Sequence, residues 1–150
     1  KTDYSDYSKK QISRAENSAL SYYEWEKVHK VEPILVEIPL ISEKYKYGGT
    51  PDIYGKVDGI LEIIDLKTGS DIYKEHFVQT AGYKNLLEEN GYPVERVRIL
   101  NIPRVETENF QDVIVRGMKY YWEIFLSCLN IYYTLKKIKA ENYVLKKEAK

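Results

Sequence analysis

The chain has 150 residues, 43% of them hydrophobic, with 23 basic and 23 acidic side chains and a formal net charge of +0. That length buries one core and is too short for two comfortable domains, so residues 1–150 read as a single domain. Charge balance excludes a global field drawing nucleic acid, membrane or acidic ligands, and a lone cysteine, Cys128, excludes a disulfide framework or a cysteine-ligated cluster or zinc site within this chain.

From about Lys10 to His29, Ile12, Ala15, Ala19, Leu20, Tyr23 and Val28 recur at helical spacing without an interior Gly or Pro, which predicts a first helix. After Pro33 the run ILVEIPLIS is β-rich and apolar, with Glu37 inside it, and EKYKYGG reads as a turn. Asp52–Val57 and Ile60–Thr68 then form two strands around Asp58-Gly59, a pair that tolerates positive φ at both positions of a hairpin turn. Ile72–Glu89 is helical until Asn90-Gly91, and Val94–Ile102 is a fourth strand, so strand three, this helix and strand four make a βαβ unit with a right-handed crossover. Gln111 to about Lys147 reads as one or two amphipathic helices. The expected architecture is α/β: an αβββαβ core with a four-stranded mixed sheet flanked by helices, plus an added C-terminal helix.

Smaller expectations accompany this reading. Cys128, in an aromatic-rich helical pattern, is expected as a buried apolar thiol, and most of the 15 tyrosines as amphipathic wall residues rather than base-stacking platforms. Lys136, Lys137, Lys139, Lys146, Lys147 and Lys150 form a local basic tail, read either as a solvated helix face or as a set of phosphate contacts. No apolar run approaches the roughly 18–20 residues that span a bilayer, and KTDYSDYSKK has no signal-peptide core, so a soluble intracellular protein without a membrane partner is expected. The chain starts at Lys1 rather than Met, which suits a fragment of a longer protein.

Folding the chain at Asp58-Gly59 sets Asp52 directly opposite Asp65. Opposed residues share a face with Cβ atoms roughly 4.5–5.5 Å apart, and like charges so placed are destabilising. Lys67, two residues on, points to the same face about 6.6–6.8 Å along the strand. A divalent cation with hard oxygen ligands, Mg²⁺ or Mn²⁺, relieves the repulsion, and the lysine then contacts a scissile phosphate or polarises an attacking water. The competing reading has Asp52 capping a turn and Asp65 pairing with Lys67 at an ordinary strand end.

The ordered set Gly49-Thr50-Pro51-Asp52, Ile64-Asp65-Leu66-Lys67-Thr68 and Gln79-Thr80-Ala81-Gly82-Tyr83 resembles the PD-(D/E)XK nucleases, in the branch of RecB-type and phage exonuclease domains, over about Val36 to Pro103. The resemblance implies a restriction-endonuclease-like core and a metal-dependent deoxyribonuclease, exonuclease-like, working in recombination, repair or phage DNA processing. It implies Asp52, Asp65 and the Leu66 carbonyl as ligands of Mg²⁺ or Mn²⁺, Lys67 as catalytic, and Gln79 and Tyr83, four apart on one helix face, as substrate-binding residues that border the site and steady the catalytic strand or touch DNA, with helix-to-sheet packing the other reading of Tyr83. Glu37 carries two readings: a further site carboxylate, linked to the metal or orienting Lys67, or a solvent position at a strand end. DNA is the implied partner, with a helicase or recombinase partner left open, in the cytoplasm of a prokaryotic or phage-infected cell. Two departures stand out. His29 and His76 both sit poorly for the metal-binding histidine that many RecB-like members carry, and the iron–sulfur subgroup needs four cysteines. The alternative from another class is a catalytically silent nucleic-acid-binding or interaction module on the same fold.

Overall fold

The computed structural model describes the backbone of residues 5–148 and the side chains of residues 5–142. The elements are α1 (Lys9–Glu26), β1 (Val31–Val36), β2 (Leu40–Ser42), β3 (Tyr47–Gly49), β4 (Ile53–Val57), β5 (Ile60–Lys67), α2 (Lys74–Glu89), β6 (Arg96–Asn101), β7 (Gln111–Ile114) and α3 (Met118–Glu148). Five strands form one mixed sheet in the order β1-β4-β5-β6-β7, and β2 with β3 makes a separate antiparallel ribbon. β5 and β6 run parallel, joined through α2, and the other neighbours are antiparallel.

Each end of α1 has a local cause. Ser8 and Gln11 form a reciprocal capping box at its start. Its end comes three residues before the expected His29, because the Asp58 carboxylate accepts the Lys30 N–H at 2.8 Å and lies 2.8 Å from His29 Nδ1, drawing the chain out of the helix. α1 covers one face of the sheet through Trp25, packed with Val57, Ile64, Leu100 and Ile102. The opposite face carries Tyr54, Ile63, Val97 and Ile99 under α2 and α3, with Leu87, Val94 and Val115 closing that core. At Gly82 a Cβ would stand 2.6 Å from the Phe125 ring, so only glycine lets the two helices approach this closely.

Several expectations are corrected. The sheet has five strands, not four, because Gln111–Ile114 pairs antiparallel with β6 instead of beginning a helix. Asp112 on that strand binds Arg98, and Gly117, at φ 72°, makes the break before α3. The expected first strand also divides. Glu37 has φ 50°, which ends β1 at Val36 and sends Leu40–Ser42 into the ribbon. The fourth strand is shorter than Val94–Ile102, and Cys128 is exposed on α3 rather than buried. No described helix is long and apolar enough to cross a membrane. The side chains of Lys146, Lys147 and Lys150 lie outside those described, while Lys136, Lys137 and Lys139 are exposed.

Candidate functional site

Side chains alternate along β5, so Leu61, Ile63, Asp65 and Lys67 share one face while Glu62, Ile64 and Leu66 share the other. Asp58 (φ 54°) and Gly59 (φ 87°) form the two-residue turn, and the register pairs Val57 with Ile60 and Ile53 with Ile64. The ladder ends at Ile53 with Ile64, and Asp52 and Asp65 are the next residues along the two segments.

Asp52 lies just before β4, and its Oδ2 accepts the Leu66 N–H at 2.7 Å, which anchors the carboxylate at the end of β5. The Lys67 carbonyl accepts the Ile102 N–H at 2.7 Å on the β6 side. Backbone groups of successive residues in an extended strand face opposite edges, so the Leu66 carbonyl faces the β4 edge, where Asp52 sits.

Lys67 Nζ stands 2.7 Å from Asp65 Oδ2, with the ammonium side chain 19% exposed and the carboxylate side chain 1%. The contact is a close ion pair that draws the Asp65 carboxyl down, without the alignment of a well-formed hydrogen bond. Neither Asp65 oxygen has a hydrogen-bond partner among the described residues. Burial pushes the Asp65 carboxyl up to about 6, against the pull of Lys67 and with a smaller push from Asp52. The arrangement offers two carboxylates and a carbonyl at one strand end, oxygen donors of the kind that hard divalent cations take.

α2 brings two more of the expected residues alongside. Gln79 Nε2 donates to the Tyr83 hydroxyl at 2.9 Å across one helical turn. Burial, then the negative charge of Asp65, and to a smaller extent of Asp52, push the Tyr83 phenol above its ordinary range, which marks its nearness to both carboxylates. Gln79 and Tyr83, with Tyr47, Gly49 and Phe125, line a cleft of about 190 Å³. His76 is held below the usual imidazole range by burial and then by the Lys67 ammonium, and its Nδ1 accepts the Tyr73 N–H at 3.2 Å.

Other expected residues are not gathered in. Glu37 is exposed one residue beyond β1, and its link to the site is through the backbone, its N–H donating to the Asp52 carbonyl at 2.9 Å. His29 lies at the far end of the hairpin, 2.8 Å from Asp58. Among the described residues no group of three or more His, Cys, Asp or Glu side chains is arranged to hold a metal ion, so any ion here rests on two carboxylates and backbone oxygen.

Two features escaped the sequence. Asn101, fully buried and paired with Lys67 across the parallel register, clamps the exit of β5: its side chain accepts the Gly69 N–H at 3.2 Å and donates to the Gly69 carbonyl at 3.1 Å. Glu62, on the opposite face from Asp65, meets Arg96 and Arg98. The charged alternation in VERVR was its one visible signal, and the parallel register that brings it to Glu62 cannot be read locally.

No protein-family model matches the chain, and no curated protein matches it. Among solved structures, the fold is similar to the crystal structure of a Eubacterium rectale protein named "Putative exonuclease", with a TM-score of 0.54 and 12% identity over 80% of this chain. That alignment covers 50% of the Eubacterium rectale chain, so the present sequence spans about half its length, and at this identity the likeness is one of fold.

Proposed function

We propose that this chain is a metal-dependent deoxyribonuclease of the PD-(D/E)XK type, exonuclease-like and hydrolysing phosphodiester bonds in DNA. One observation carries the reading: Asp65 is buried with neither oxygen hydrogen-bonded, opposite Asp52 and beside Lys67. Burying a carboxylate beside a single ion-pair partner, with no backbone or neutral side-chain donor to either oxygen, is costly, and a stability-driven sequence would place an apolar side chain there. The order of Asp52, Asp65, Lys67, Gln79 and Tyr83 along the chain, and a fold like that of a protein named as an exonuclease, support the same conclusion.

In this reading Asp52, Asp65 and the Leu66 carbonyl hold Mg²⁺ or Mn²⁺, which when bound offsets negative charge on the phosphoryl oxygens and lowers the pKa of coordinated water. Lys67 supplies a compact positive charge to the scissile phosphate or orients the attacking water. Asn101 steadies Lys67 by fixing the chain two residues after it, at Gly69. Tyr83 accepts a hydrogen bond from Gln79 and so retains its own proton to donate to a phosphate oxygen.

Purified protein given Mg²⁺ or Mn²⁺ should degrade linear DNA, chelator should abolish this, and Lys67→Ala should be inactive with an unchanged circular dichroism spectrum. In the absence of DNA, Mn²⁺ at about 100 times its dissociation constant should stabilise the fold by about 2.7 kcal/mol, read as a thermal shift. DNA binding without cleavage under every divalent metal would reassign the chain as a binding module.

A further inference from the structure

α3 is apolar on two faces, and only one of them is covered. Tyr121 meets Phe77, Trp122 stacks on Phe125 and meets Tyr45, and Phe125 meets Tyr47 and Gly82, so this side is packed on α2 and the β2–β3 ribbon. On the other side Tyr120, Ile124, Cys128, Ile131, Leu135 and Ile138 follow one another at intervals of four, four, three, four and three residues. At about 100° per residue they fall within an arc of about 80°, along a length of roughly 27 Å. The five large members are 47–65% exposed, and Cys128 is exposed as well. From Ile124 onward the spacing is the alternating four-and-three of a coiled-coil seam. A solvated helix needs none of this, and so long an apolar row marks an interface.

We propose that this row is the seam of a two-fold symmetric, antiparallel homodimer in which α3 packs against α3 of a second copy. Area and charge argue for that occupant. The row exposes on the order of 600 Å² per copy, so two facing rows would bury on the order of 1,200 Å², the lower bound for stable, specific interfaces. A two-fold contact requires one patch to complement itself, which a straight apolar stripe does. Direction follows from charge: Lys139 flanks the C-terminal part of the row, and a parallel pairing would bring the two copies of this lysine to the same end of the seam. The antiparallel pairing moves them toward the end that holds Lys119 and Glu123. Its core layers place Cys128 against the partner's Ile131 and Ile124 against the partner's Leu135.

Sedimentation of the 150-residue chain from micromolar to about 100 micromolar should reveal a species of twice the 17.7 kDa chain mass. The double variant Ile131→Glu with Leu135→Glu should raise the dissociation constant at least about 100-fold, while its melting curve at low concentration stays unchanged because both positions are exposed in the single chain. Mild copper–phenanthroline oxidation should link I131C into covalent dimers several-fold faster than the unaltered chain. A monomer at every concentration, a dimer indifferent to the two glutamates, or rapid Cys128-to-Cys128 linkage in the unaltered chain would each overturn the arrangement.

Discussion

β5 buries two carboxylates three residues apart on opposite faces, and they are treated in opposite ways. Glu62 is fully buried; its Oε1 accepts from Arg98 Nε at 2.7 Å and its Oε2 from Arg96. Arg98 continues to Asp112 at 2.6 Å, and Asp112 also accepts the Trp25 indole N–H at 2.8 Å. Donors and acceptors in this chain of contacts are matched, and it ties α1, β5, β6 and β7 together. Asp65 is equally buried, with one cation at close range and no directed donor. Both oxygens of Glu62 are thus held by aligned donors, whereas Asp65 has one ion-pair partner and no aligned donor.

Matched amide substitutions at the two acids should have opposite effects on activity and stability. Asp65→Asn removes a proposed metal ligand and should lower DNA cleavage at least about 1,000-fold, about 4 kcal/mol of transition-state stabilisation, measured as initial rate on linear DNA with Mg²⁺. Glu62→Gln should do the reverse. It leaves Arg98 with Asp112 as its one remaining carboxylate and should cost about 2 kcal/mol of stability, read by urea denaturation, with cleavage by the folded fraction within about two-fold of the unaltered chain. Equal losses of activity in both variants would erase the distinction between the two faces.

The stability of Asp65→Asn relative to the unaltered chain should depend on pH with a defined sign. The folded carboxyl titrates at about 6, and an unfolded aspartate near 3.9. Between those values the folded chain keeps a proton that the unfolded chain releases, so the stability of the unaltered protein falls as pH rises through that window. Asn has no such loss. Asp65→Asn should therefore gain about 2 kcal/mol relative to the unaltered chain between pH 4 and pH 6 and hold that gain above it, measured without metal. A difference in stability independent of pH would show that Asp65 is compensated after all.

What the sequence disclosed and what it hid follow the range of the interactions involved. The hairpin was legible because Asp58-Gly59 sets the register of its neighbours locally, and the pairing of Asp52 with Asp65 follows from it. The helical run into Glu89 and the parallel β5–β6 pairing were legible for similar reasons of periodicity and connection. β7 was hidden because Gln111–Ile114 is a strand only by virtue of β6, ten residues back, and of Asp112 reaching Arg98. Glu37 kept two readings because an acid in an apolar run can be a buried site group or a strand-end residue, and its left-handed backbone, which turns the chain away, leaves the side chain in solvent, the second of the two. Cys128 misled through the assumption that an apolar neighbourhood means burial, whereas one apolar face of α3 is left uncovered.

The smallest expected effect tests how far the site extends beyond β5. Tyr83→Phe removes one hydroxyl, leaves the ring against Gly49, and frees the exposed Gln79 amide to bond water. Its stability should change by less than about 1 kcal/mol, since the lost bond is half-exposed and its donor is rehydrated. If the hydroxyl donates to a phosphate oxygen, the variant should lose about three- to ten-fold in kcat/KM, most of it in KM, while Gln79→Ala, which leaves the phenol proton in place, should lose less. A Tyr83→Phe variant with unchanged kcat/KM would confine the site to β5 and Asp52 and make α2 a packing element alone.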